Sequence, residues 1–142
     1  MKVERTYKLT DRESRKLDKY LARVQMSESE FIGKRIEMVI KSVELNDEID
    51  SVIKTTLEKL GGNEEEFYAG SNKMPNPTAR RVVSYILRKD YGCKLVDIAK
   101  RINRDHSSIH SAIRWIEERQ GLEKFNPDEF KTIAEIKEIF SL

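Results

Sequence analysis

The sequence predicts a mainly α-helical chain in which a helix-turn-helix domain follows a short strand-helix-helix segment. Three observations predict it. Apolar residues recur at the 3.6-residue spacing of amphipathic helices through most of the chain. Two capping boxes, Thr10 with Glu13 and Ser27 with Glu30, mark helix starts in the first third. A short periodic segment, Leu95 to Ile102, is followed within a turn by Asp105, which can cap another helix.

The elements follow in chain order. Residues 3–9 alternate loosely, with Val3, Tyr7 and Leu9 on one side and Glu4, Thr6 and Lys8 on the other, as in a short strand. The helix opened by Thr10 places Leu17, Leu21 and Val24 on one face. The helix opened by Ser27 carries a wide apolar stripe of Phe31, Ile32, Ile36, Val39, Ile40 and Val43. Asn46 is read as the cap of a third helix, with Asp47, Glu48 and Asp50 at its positive end and Gly61 at its stop. Its buried face is Ile49, Val52, Ile53, Leu57 and Leu60. Residues 61–77 read as loop, with Phe67 and Tyr68 tucked against a neighbour. The helical period returns from Thr78 through Val82, Val83, Ile86 and Leu87 and breaks at Gly92. Leu95, Ile98, Ala99 and Ile102 face inward from a short helix, and Ile109, Ala112, Ile113 and Ile116 from the next. Asn126 and Pro127 open a last helix, with Phe130, Ile133, Ile136 and Phe140 inward.

Composition narrows the function classes. The chain has 142 residues, of which 37% are charged and 38% hydrophobic, which allows small helical cores only. No apolar run reaches the roughly 18 residues of a membrane span. The opening MKVERTYKL lacks the apolar stretch of a secretory signal. One cysteine, Cys93, fits a reducing compartment. A cytoplasmic location is therefore expected. Net charge is only +2, but it is unevenly spread. Residues 1–45 hold 11 basic and 8 acidic groups, and residues 46–70 hold 2 and 7. Residues 71–121 hold 11 and 5, and residues 122–142 hold 3 and 5. The basic block at 71–121 points to a polyanionic partner, although a solvated helix surface has the same composition.

Within that block the stretch NRDHSSIHSAIRWIEE, residues 103–118, admits three chemical readings. His106 and His110 stand four residues apart and could face one metal ion. However, Ser107 occupies the position where a metalloprotease needs glutamate, and no third ligand is near, so no metal or other cofactor is expected. Asp105, His106, Ser107 and Ser108 name the residue types of a nucleophilic triad, yet sequence neighbours on a helix do not face each other. No phosphate loop occurs in these residues, so neither an enzyme nor a nucleotide partner is expected. The third reading is DNA contact. In a helix-turn-helix the first residues of the second helix meet base edges. An Asp can accept from a cytosine amino group, a His can donate to purine N7, and hydroxyls can do either. Lys100, Arg101, Arg104 and Arg114 could neutralise phosphates around them.

Arg104 to Ile109, R-D-H-S-S-I, resembles the R-D-H-T-T-V signature of the C-terminal DNA-binding domain of the bacterial replication initiator DnaA. The stretch TARRVVSYILRKDYGCKLVDIAKRI is similar to that family's A-R-Q-I-A-M-Y-L, a short break, then S-L-x-x-I-G-x-x-F. The resemblance covers about residues 47–142. It implies the Trp-repressor-like helix-turn-helix of that domain, with Asp105, His106, Ser107 and Ser108 reading the major groove. It further implies phosphate contacts from Lys94 and from the backbone at Leu95 and Val96. A basic loop near Asn72 and Lys73 would approach the minor groove. The sequence departs from the family in three places. Both signature threonines are serines, each losing a methyl worth about 0.8 kcal/mol if fully buried against a thymine methyl. His110 and Ser111 stand where the family has an apolar residue and then His. The basic loop keeps one lysine and gains two prolines.

Residues 1–45 resemble, less specifically, the ribbon-helix-helix family, with MSESEFIGKRI similar to its S-x-S-E-x-I second helix. That resemblance implies an intertwined homodimer and offers Glu4, Thr6 and Lys8 as base readers. Independently, a unit of 45 residues cannot bury so wide a stripe alone, which favours pairing. The alternative is two helices packed on the C-terminal domain. Two domains are thus expected, 1–45 for dimerisation and 46–142 for DNA. The whole reads as a sequence-specific double-stranded DNA-binding regulator of transcription or replication, bacterial or phage-encoded and associated with the nucleoid. The competing reading is a protein-interaction adaptor that keeps the helix-turn-helix shape and binds through the Phe31–Val43 stripe, the acidic block or the last helix.

Overall fold

The computed structural model describes residues 6–142 and is mainly helical, with no strand among the described residues. The chain divides into two units, Met1–Leu45 and Asn46–Leu142.

In the first unit, residues 6–10 of the single chain carry no regular structure, and no strand is present over Thr6, Tyr7, Lys8 and Leu9. Val3 and Glu4 lie outside the described residues. A strand needs a second edge to satisfy its N–H and C=O groups, and the described residues offer none. Helix α1, Asp11–Val24, begins as expected. The Thr10 hydroxyl accepts the Glu13 N–H at 3.2 Å, and the Glu13 carboxylate accepts from the Thr10 hydroxyl at 2.8 Å and N–H at 3.3 Å. These bonds hold the Glu13 carboxyl below its ordinary pKa. Gln25, in the left-handed region at φ 53°, ends the helix. Ser27 Oγ accepts the Glu30 N–H at 3.1 Å at the start of α2, Glu28–Leu60.

Helix α2 replaces two expected helices. Asn46 and the acids after it look locally like a start, but Asn46 lies inside the helix. From Lys34 to Leu60 there is no Gly or Pro to interrupt it. The Asn46 side chain accepts from Arg101, a contact 55 positions away that local patterning cannot announce. Residues 28–45 of α2 belong to the first unit and 46–60 to the second. In the first unit Tyr20 and Phe31 meet edge to face with centroids 5.3 Å apart, yet α1 has no buried residue and every buried residue of α2 lies at or beyond Ile49.

The second unit is built differently. Ile49, Val52, Ile53 and Leu57 of α2 are buried as their spacing predicts. Helix α3, Glu64–Tyr68, stands inside the expected loop. It is one short turn of three glutamates and two aromatics, too brief to show a period, but Asn63 caps it by accepting the Glu66 N–H at 2.9 Å. Its Phe67 is fully buried. Helix α4, Asn76–Lys89, is central and packs against α3, α5, Leu95–Arg101, α6, His106–Glu118, and α7, Pro127–Ile139. One face of α4, with Ala79, Val83 and Leu87, joins a cluster with Ile53, Phe67, Ile98, Ile102 and Ile109. Another face, Val82 and Ile86, joins Val52, Ile116, Ile133 and Ile136. Helix α7 is also fixed by a polar contact. Glu129, only 6% exposed, pairs with Arg81 at 3.2 Å and accepts the Thr78 hydroxyl at 3.4 Å. Between α6 and α7 a single 3-10 turn covers Glu123–Phe125.

Candidate nucleic-acid interface

Helix α6 starts where its sequence allows. Asp105 takes extended backbone angles, and its carboxylate accepts the Ser108 N–H at 2.6 Å. Bonding to Ser108 holds the Asp105 carboxyl below its ordinary pKa, and the Arg104 and His106 charges act the same way. One carboxylate oxygen is thereby committed to the helix end. Asp105, His106 and Ser107 are exposed and Ser108 is half-buried, while Ile109, Ile113 and Ile116 anchor the opposite face in the core. Four residues, 102–105, join α5 to α6. Asn103, at φ 54°, occupies the left-handed region there and donates its side-chain amide to the Tyr68 carbonyl at 3.0 Å.

Beside this first turn lies a cleft of about 400 Å³ between α4 and α6. Arg80, Arg81, Arg104, Ser107, Ser108 and Ser111 contribute to its lining, with Trp115 at one side. Arg80 is the unusual member. It is 8% exposed, and it donates to the Ser71 carbonyl at 2.8 Å and to Asn72 Oδ1 at 3.3 Å, both neutral acceptors. No carboxylate pairs with it among the described residues. Burial, then the Arg104 and Arg81 charges, push the Arg80 guanidinium below its ordinary pKa. Arg104 reaches toward the Gly70 carbonyl at 3.5 Å, and its Nε, like Ser84 Oγ, is buried with no protein partner. The backbone at Gly70 favours glycine. Its φ is +74°, and a Cβ there would stand 2.5 Å from Arg104 Nη1. Arg81 and Arg119 lie over the Trp115 ring at 4.2 and 4.0 Å, so Arg81 is held by both a π face and Glu129.

The remaining candidate residues separate into free and engaged groups. Lys94 sits exposed at the cap position of α5, next to half-buried Leu95 and exposed Val96. Lys100 and Lys73 are exposed. Arg114 is exposed and pairs with Glu118 at 2.7 Å, one turn along the same helix. Arg101 is committed elsewhere, pairing with Asp50 at 3.1 Å and bonding Asn46, so it serves to tie α5 to α2. Asn72, expected in a basic loop, receives the Arg80 guanidinium instead. Of the ribbon positions, Thr6 and Lys8 are exposed, and Glu4 lies outside the described residues. Sequence reasoning passed over Arg80, although a signal existed. Arg80, Val83 and Leu87 are spaced as one inward stripe, so a charge there had to be buried.

Among the described residues no group of His, Cys, Asp and Glu is arranged to hold a metal ion, and no helix is long and apolar enough to cross a membrane. No protein-family model, curated protein or solved structure matches the chain.

Proposed function

We propose that residues 46–142 bind double-stranded DNA sequence-specifically, with α5 and α6 acting as a helix-turn-helix and the first turn of α6 entering the major groove. The observation that carries this reading is the pairing of an exposed polar turn, Asp105 to Ser108, with an adjoining cleft that holds arginines lacking a carboxylate. A buried positive charge with only neutral acceptors is stabilised when an anion arrives, and a DNA phosphate is such an anion. In this reading His106, Ser107 and the free oxygen of Asp105 meet base edges. Arg80, Arg104, Lys94 and the backbone at Leu95 and Val96 meet phosphates, with Lys100, Lys73 and Arg114 at the rim. Arg101 is left out because its pairs are internal. The role that follows is regulation of transcription or replication at a defined site.

Selection of bound duplexes from a random pool, followed by fluorescence anisotropy, tests the proposal. One enriched sequence is the expected outcome. His106→Ala should cost about 1–3 kcal/mol on that sequence and much less on random duplex. Arg80→Met should weaken both alike. A chain that shows no retention on heparin or duplex at low salt, with its helices intact, overturns the DNA reading in favour of a protein adaptor.

A further inference from the structure

The apolar face of the first unit has no cover of its own. Among the described residues of that unit, ten large apolar side chains expose between 39% and 63% of their surface, with Val39 the most exposed. Of these ten, Ile36, Val39, Ile40 and Val43 share one side of α2 with half-buried Ile32, while Met38 and Leu45 lie on the opposite side of the helix. Three adjoining apolar grooves all include Phe31, so the surface is continuous from Tyr7 and Leu17 round to Val39 and Ile40.

We infer that the occupant is a second copy of the same helix, running antiparallel. The argument is one of symmetry. Ile32, Ile36, Val39 and Val43 are spaced four, three and four, the seam spacing by which one helix packs along another. That spacing reads the same in both directions. A two-fold axis across α2 between residues 37 and 38 carries Ile32 onto Val43 and Ile36 onto Val39. The stripe can therefore pair with itself about a two-fold axis, as an interface between identical chains requires. Gly33 gives a second indication. It lies inside α2, where glycine is less favourable than alanine, and a Cβ added there would meet nothing within 4 Å. Under the same two-fold it falls beside Ile40 of the copy, where the missing side chain leaves room. Charge agrees. Residues 6–45 carry 9 basic and 7 acidic groups, mixed in sign, and Glu30, Lys34 and Lys41 fall on the side of the helix away from the seam. Neither an anionic membrane nor a strongly charged partner is favoured over a copy.

The test uses the full chain without DNA, so its outcome is independent of the DNA reading. Sedimentation at micromolar concentration should give a dimer. Val39→Lys places a charge in the seam without touching the chain's own core, and should raise the dimer dissociation constant by on the order of a hundredfold. Lys41→Glu, on the far side and lining none of the three grooves, should leave it unchanged. In a Cys93→Ser background, chains with Ile32→Cys and chains with Val43→Cys should form an interchain disulfide when mixed and little when separate. A monomeric wild type with its helices intact, cross-linking of Ile32→Cys chains alone, or flotation of a monomeric chain with phosphatidylcholine–phosphatidylserine vesicles would each overturn the inference.

Discussion

Residues 46–142 and residues 6–45 are both helical and similarly charged, yet one half buries 18 apolar side chains and the other buries none. Helix formation is therefore not what separates them. Both halves cap their helices with side-chain oxygens and both have apolar stripes. The difference is the number of helices available to cover a stripe. In the second unit α4 is surrounded by four other helices, and its two apolar faces are both covered. In the first unit two helices and a short segment cannot enclose Phe31 to Val43, so the stripe remains a surface. Periodicity reports that a face is apolar and does not report what covers it.

The contrast can be broken by substitution, and the largest effect belongs to the second unit. Ile86→Ala should lower its stability by about 2–5 kcal/mol, read from denaturant unfolding, because Ile86 of α4 is fully buried in the cluster with Val52, Ile116, Ile133 and Ile136. A loss no greater than that of Val39→Ala, measured where the chain is monomeric, would erase the distinction between the halves. Next comes Glu129→Ala, expected to cost about 1–3 kcal/mol by leaving Arg81 and Thr78 without their shared acceptor. A neutral result would mean that Arg81 is held by Trp115 alone. Gly70→Ala should cost about 1–2 kcal/mol through backbone strain and should also displace Arg104, weakening duplex binding. Unchanged binding would separate Arg104 from the interface.

Two smaller effects sharpen the site itself. The Asp105 carboxyl is held below its ordinary value by Ser108, so its contribution is fully present above the usual carboxylate range near about 3.9. It is lost as pH falls through the lowered folded-state value. Asp105→Asn keeps a capping oxygen but does not titrate, so its melting temperature should fall less than the wild type's below that range. Identical acid profiles for the two chains would count against the carboxylate bond. Last, Lys94→Ala should reduce the slope of log affinity against log salt by about 1, with no change in sequence preference.

Much of this was legible from residue types and spacing. The caps at Thr10 and Asp105, the core stripe from Ile49 to Leu57, and the inward faces of α5 and α6 are local properties, and local properties can be read along a chain. The misses have different causes. Asn46 looked like a start because its long-range partner, Arg101, is invisible to a window of ten residues. Helix α3 is held by Asn63 and the burial of Phe67 rather than by a repeating pattern. Arg80 was passed over because a charged residue is assumed to face water, and here Ser71 and Asn72 supply acceptors that hold it inside. Residues 6–9 alternate as a strand does, but alternation provides no second edge. For the candidate site, the exposed turn is legible in the sequence and the cleft beside it is not.

The bond from the Asp105 carboxylate to the Ser108 amide ties two duties to one side chain. On the proposed reading, the residue that closes the end of α6 is also the one offered to the DNA. Drift in target preference at that position is then confined to Asp, Asn, Ser and Thr, the side chains that can do both. His106 and Ser107 carry no such duty and are free to vary, so a lineage in search of a new address would be expected to change them first.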